Sequence, residues 1–332
     1  MTMSDFRPNR RSVIRSAAAF AALPLGAAGF VSHAHAAGPM LGATQPKHRR
    51  YRVGGFEITT IADSEVFIDG PYPLIGGNAS KEDVGRLMTE NLLPADAYQP
   101  GFSPTVINTG REVVLFDTGN GENGFVSRPE GGWLARELGP AGFKPEDIDI
   151  VVLTHGHSDH FGGVLEGDAL LFPNARYVIG QVEHDFWWPE GKHTGKLADA
   201  AALYRRIIGA VEDRLTFVKD GDDVVSGIRT VEAFGHTPGH LNFLIETEGQ
   251  TLYMLADCAH HHVASLARPD WHCVFDVEPE QAAATRKRVF DMAATEKYPV
   301  IGYHMPFPSV GYMERLPTSG YRWVAHSYQL NR

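Results

Sequence analysis

Four side chains able to bind a divalent cation fall within six residues of this sequence. They are His155, His157, Asp159 and His160, in the run Thr154-His155-Gly156-His157-Ser158-Asp159-His160. An apolar stretch, residues 148–153, precedes them and reads as a buried strand, and Phe161-Gly162-Gly163-Val164 follows as a turn into a helix. Imidazole nitrogens and carboxylate oxygens suit zinc and related divalent ions. His155 and His157, two apart, point the same way in extended backbone, whereas Asp159 and His160 come after the chain begins to turn. That spacing suggests two neighbouring metal sites rather than one. Ser158 and Asp159 could also cap the following helix, but a cap needs no cluster of histidines.

The HxHxDH pattern of His155, His157, Asp159 and His160 resembles the signature of the metallo-β-lactamase superfamily, and the resemblance runs over roughly residues 50 to 330. It continues with His236, Asp257 and His304, each after an apolar run that reads as a strand. The resemblance implies that His155, His157 and His236 hold one ion and Asp159, His160 and His304 the other, with Asp257 bridging. It implies two divalent cations, zinc first, with manganese, cobalt, nickel or iron also compatible with such ligands. It implies a metal-bridging hydroxide as nucleophile, with Asp159 or Asp257 passing a proton to the leaving group. Asp117, in Asp117-Thr118-Gly119, would support the metal loops by hydrogen bonding, and Asp63 and His240 would play similar parts. Of His260, His261 and His262, one is expected to line the pocket and the others to be solvated.

The fold class implied by the resemblance is α+β, an αββα sandwich of two mixed sheets flanked by helices; periodicity alone supports only α/β or α+β. The expected elements alternate accordingly. A hairpin spans residues 50–61, a helix 81–91 after Ser80 as N-cap, a strand pair 103–117, and helices 133–141 and 197–211. Strands cover 177–179, 215–218, 228–234, 251–257 and 298–304.

Substrate is narrowed by departures from the pattern. A carboxylate stands at Asp257 where true β-lactamases have Cys or Ser, and no basic C-terminal region of the kind glyoxalase II-type enzymes use for glutathione is evident. The stretches 304–311 and 320–324, with 235–240 and 278–288, resemble methyl parathion hydrolase and the related quorum-quenching lactonases. The expected function is a dinuclear metallohydrolase of apolar lactones or esters, possessing aryl phosphotriester hydrolysis as a side activity. Alternatives are organophosphate hydrolysis as the main activity, arylsulfatase- or phosphodiesterase-like chemistry, or a non-catalytic metal-binding protein. Phe125, Phe186, Trp187, Trp188 and Phe275 are candidates to line an apolar pocket, Trp187 and Trp188 being equally suited to the core.

Residues 1–36 differ from the rest. Arg10-Arg11 precedes an Ala- and Gly-rich apolar run, and Ala34-His35-Ala36 supplies small residues for cleavage. This resembles a twin-arginine export signal, so the chain is expected to be periplasmic or secreted, with no stable membrane anchor. A linker would follow at 37–50 and one hydrolase domain at 51–332. Without the leader, 26 basic side chains face 39 acidic ones, a net −13 against −10 for the whole chain. Such a surface does not seek nucleic acid. A homodimer remains open. Cys258 and Cys273 are the two cysteines; free buried thiols are expected over a disulfide.

Overall fold

The computed structural model describes residue 40 and residues 42–331; the leader expected in 1–36 lies outside the described residues. The unit from Gln45 onward is built on two seven-stranded sheets. The first runs, in spatial order, His48–Val53, Phe56–Ile61, Thr105–Asn108, Val113–Phe116, Ile150–Leu153, Arg176–Gly180 and Leu215–Val218. Its first four strands are antiparallel neighbours and its last three are added in parallel. The second runs Asp223–Val225, Ile228–Glu232, Leu241–Thr247, Gln250–Met254, Val300–Ile301, Val310–Arg315 and Tyr321–Ala325, antiparallel except where Gln250–Met254 meets Val300–Ile301.

Side-chain alternation sorts the layers. On the strand Ile150–Leu153, Ile150 and Val152 join Phe116, Val178, Phe243, Leu252 and Met254 in the core between the sheets. Val151 and Leu153 face the other way, onto Leu134, Leu138, Trp187, Tyr204 and Ile207 from helical segments. All four residues are buried, as a strand covered on both faces requires. The second sheet repeats the pattern: Tyr253 and Val300 pack outward on Val289, Phe290 and Ala293 of the helix Pro279–Glu296. Two mixed sheets face to face with helices outside are the expected αββα arrangement.

Several elements end sooner than hydrophobicity suggests. The strand expected over 251–257 stops at Met254, and Asp257 lies in a 3-10 turn, Ala256–Cys258, entered through Ala256 at φ +43°. Cys258 therefore does not alternate against Asp257 on extended backbone; the turn carries it into the helix-side core. Likewise only Val300–Ile301 of 298–304 is strand, and His304 stands in the turn that follows. The helix expected over 133–141 is one turn, Leu134–Glu137. The first strand begins at His48, inside the stretch read as linker. Both cysteines are free and buried. No helix among the described residues is long and apolar enough to cross a membrane.

Candidate metal centre

The motif loop leaves its strand under the control of Asp117. This carboxylate accepts the Thr154 backbone N–H at 2.9 Å and the Thr154 hydroxyl at 3.0 Å. With its proton committed, the Thr154 oxygen accepts from Nδ1–H of His155 at 3.1 Å, which leaves Nε2 of His155 as a bare lone pair. Asp117 also accepts Nδ1–H of His160 at 2.8 Å, which turns Nε2 of His160 into the centre, where it has no hydrogen-bond partner. One buried carboxylate thus sets the ring orientation of two histidines through their far nitrogens. Burial pushes Asp117 above its ordinary value, against the pull of His160 and Thr154.

His155, His157 and His236 converge. Nε2 of His155 lies 3.1 Å from Nδ1 of His157, which lies 2.9 Å from Nε2 of His236; His236 closes the triangle at 3.2 Å. His236 donates its Nδ1–H to Asp276 at 2.9 Å, so its inward nitrogen is also a lone pair. Three nitrogens bonded to one zinc at about 2.0–2.1 Å in tetrahedral geometry would stand roughly 3.3 Å apart. The triangle has nearly that size. Lone pairs so close repel unless a cation or a proton sits among them. Burial, followed by the neighbouring His160, holds His155 well below its ordinary pKa, and burial with His157 does the same to His236.

The second cluster is built from a carboxylate and two imidazoles. His304 donates Nδ1–H to the Gly101 carbonyl at 2.7 Å and turns Nε2 toward Asp257 at 2.9 Å and Asp159 at 3.5 Å. Nε2 of His160 stands 3.3 Å from Asp257 and 3.5 Å from Asp159. Asp257 lies between the clusters, since its Oδ2 is also 3.4 Å from His236 and 3.8 Å from His155. Burial depresses His160, but Asp257, Asp117 and Asp159 outweigh it and raise its pKa well above the ordinary value. Burial likewise opposes ionisation of Asp257, yet His160 and His304 hold its pKa far below the usual carboxylate range. The seven residues singled out in the sequence are brought together, and the groups His155–His157–His236, His155–His160–Asp257 and Asp159–His160–His304 each have the ligand spacing of a metal site. The donor set and the unpartnered His160 Nε2 and Asp257 Oδ1 fit divalent cations.

The supporting residues act at different distances. His240 receives the Asp257 backbone N–H on Nε2 at 3.1 Å and donates Nδ1–H to the Ala233 carbonyl, so it props the turn that carries Asp257; burial lowers it to about 4. Asp63 is one layer further out. It accepts from the Asn120 backbone and side chain and from the Leu134 N–H, and burial raises it to about 6.

A cavity of about 180 Å³ opens over the clusters. Asp159, Asp257, His260 and His304 form its polar floor, and Phe102, Phe125 and Phe275 stand on its walls with Ile68, Leu74 and Leu203. Phe186, Trp187 and Trp188 do not line it. Trp187 is fully buried, with its indole N–H on Glu183 at 2.7 Å, Trp188 stacks on His184, and Phe186 packs against His193 and the helix-side core. Phe186 and Trp187 lie in the last turn of a helix, Gln181–Trp187, that Trp188 caps and whose inner face the core claims. His260 lines the cavity, with neither ring nitrogen partnered and Nε2 3.6 Å from Asp257. His261 is buried rather than solvated; its Nδ1 accepts the N–H groups of Val263 and Ala264.

Two buried carboxylates carry roles the sequence did not disclose. Asp276 orients His236 and is itself flanked by Arg286, 3.7 Å away. Glu183 accepts from Gly156, Trp187, Thr237 and Gly239. Neither belongs to a recognisable spacing. The signal available was only an acid in an otherwise apolar neighbourhood.

The chain matches the metallo-beta-lactamase superfamily over residues 103–291. It is 29% identical over 126 residues to the N-acyl homoserine lactonase AttM of Agrobacterium fabrum, covering 36% of this chain and 44% of that protein. The chain spans about half the length of the curated relatives it matches. Its structure is similar to that of AidC, a dizinc quorum-quenching lactonase solved with a product bound, with a TM-score of 0.78, 25% identity, and coverage of 85% of this chain and 98% of that one. A hydrolase of the beta lactamase superfamily, AbOPH, shares the fold at a TM-score of 0.77 and 24% identity, over 86% of this chain and all of the other.

Proposed function

The chain belongs to the metallo-beta-lactamase superfamily, and we propose that it is a dinuclear metallohydrolase of lactones, with carboxylic esters and aryl phosphotriesters as slower substrates. The observation that carries this reading is the pair of ligand clusters sharing Asp257 at the floor of an apolar cavity. When bound, two divalent ions supply a water made nucleophilic near neutral pH and Lewis acidity toward the substrate oxygen.

The chain's own residues do the rest. Phe102, Phe125 and Phe275 keep bulk water from the floor, and Ile68, Leu74 and Leu203 offer apolar surface to an acyl chain. Asp257, hemmed by His155, His160, His236, His260 and His304, stays ionised and fixes the charge between the clusters. Asp159 is the less enclosed carboxylate, with its side chain 13% exposed. It is the better placed to accept the proton that the attacking water gives up and pass it to the departing alkoxide. No lysine or arginine is among the described residues lining the cavity, which favours uncharged substrates over sulfate or phosphate monoesters and diesters. The similarity to a dizinc lactonase over nearly the whole of that chain supports lactones first.

Metal analysis of the purified protein, paired with kcat/KM on acyl-homoserine lactones, aryl acetates and methyl paraoxon, tests the reading. The expected result is two ions per chain and lactones turned over fastest. Fewer than one ion after reconstitution, or an inert protein on all three substrates, would sink it. The leader read in residues 1–36 supports export of the folded chain; cell fractionation that finds the protein only in the cytoplasm would count against that.

A further inference from the structure

Glu183 has no place in the chemistry just described, yet it is one of the most heavily engaged side chains in the molecule. It is fully buried on the short helix Gln181–Trp187 and has no cationic partner within the described contacts. Each carboxylate oxygen takes two donors. Oε1 accepts the Gly156 backbone N–H at 2.7 Å and the Trp187 indole N–H at 2.7 Å. Oε2 accepts the Thr237 hydroxyl at 2.7 Å and the Gly239 backbone N–H at 2.9 Å. Gly156 lies between His155 and His157, and Thr237 follows His236. The two loops that supply the three-imidazole cluster therefore meet on one carboxylate.

Local sequence agrees with this placement. A side chain on Gly156 would collide with the Trp187 indole nitrogen, and one on Gly239 with the backbone of Glu183. Both ligand loops are glycine where the helix comes closest. The two loops are also joined at their bases, where the Leu241 N–H donates to the Thr154 carbonyl at 3.1 Å; Glu183 adds the tie at Gly156 and Thr237, beside the ligands themselves.

We propose that Glu183 is the positioning residue of the first ion. It clamps the His155–His157 loop to the His236 loop and so fixes the nitrogen triangle before metal arrives. The inference rests on the two-ion reading for its assignment of ligands. It is specific to one half of the centre, because no atom of Asp159, His160 or His304 touches Glu183 among its described contacts.

Glu183→Gln keeps the shape and removes the charge. Its amide NH2 must face either Gly156 and Trp187 or Thr237 and Gly239. In both cases a backbone N–H meets another N–H, and one loop is pushed away. The test is cobalt(II) titration of the metal-free full chain, read by visible absorption against a competing chelator, in two backgrounds. His304→Ala leaves the three-imidazole half, and His236→Ala leaves the other. Glu183→Gln is expected to weaken cobalt binding about 10–100-fold in the His304→Ala background and less than about threefold in the His236→Ala background. Equal weakening in both, as for a merely structural residue, or none in the first, would overturn the proposal. Thr237→Val, which deletes one donor and leaves the carboxylate, should shift the same half in the same direction, and it decides the matter if Glu183→Gln does not fold. A wild-type chain that takes up one cobalt would end the two-ion reading while Glu183 is still judged by the His304→Ala chain.

Discussion

The two halves of the centre are built on opposite electrostatic plans. His155, His157 and His236 form a neutral cluster whose supporting anions, Asp117, Asp276 and Glu183, stand behind the rings or loops and do not enter it. Asp159, His160 and His304 carry their negative charge inside, with Asp257 at the shared edge, and His304 is anchored by a backbone carbonyl. On the two-ion reading, the first half would hold a cation chiefly by shape and the second by charge. On the same reading, one rigid seat and one charged seat would suit a centre whose charged side also handles the proton of the leaving group.

The contrast breaks most completely at the residue both halves share. Asp257→Ala removes the only carboxylate, among the described residues, within 4 Å of all four of His155, His160, His236 and His304. Lactone turnover should fall on the order of 10³-fold, the scale of removing a principal source of charge stabilisation, and metal content should drop to one ion or fewer. Normal metal content with near-normal rates would dismantle the site.

The next largest effects separate the halves. Asp276→Asn leaves His236 in place but lets its ring choose the wrong tautomer, and should cost about 10–100-fold in affinity for the ion of the three-imidazole half. Asp117→Asn should cost both ions, because Asp117 reaches His160 directly and His155 through Thr154. Chelator competition on the two variants reads this out. If Asp276→Asn loosens both ions equally, the division into halves is wrong.

How much of this could be read from the chain follows from the same geometry. The ligands sit at the ends of strands that hydrophobicity marks clearly, so Ile150–Leu153 announces His155 and the apolar run before Gly235 announces His236. The layering followed too, because strands buried on both faces read as unbroken apolar runs. What escaped was whatever depends on the meeting of distant segments. Asp276 faces His236 across 40 residues, and Glu183 reaches Gly239 across 56. Trp187 and Trp188 could have lined a pocket or filled a core, and only the direction of their helix decides. Asp257 was recognisable as a carboxylate after a strand, but not as a residue in a tight turn held by His240.

The smallest effect changes no rate and reports most directly on the contrast. Metal ligands must be deprotonated to bind, so loading an ion expels whatever protons its seat retains. In the metal-free fold His160 and His304 are raised above their ordinary value of about 6.5, whereas His155 and His236 are lowered. The carboxylates of the charged half therefore favour retained protons, which burial in the three-imidazole half opposes. Calorimetric titration in buffers of different ionisation enthalpy should show more proton release on filling the charged half than on filling the three-imidazole half. The same shifts act on stability with opposite sign. The raised pair stabilises the metal-free fold below about pH 6.5, an increment lost as pH climbs through the folded pKa values; the lowered pair contributes above about 6.5, an increment lost on acidification. His304→Ala should abolish much of the proton release, and His236→Ala should leave it nearly intact. Equal release from the two halves would mean that the carboxylates do not hold His160 and His304 protonated, and the electrostatic division between the seats would fall with it.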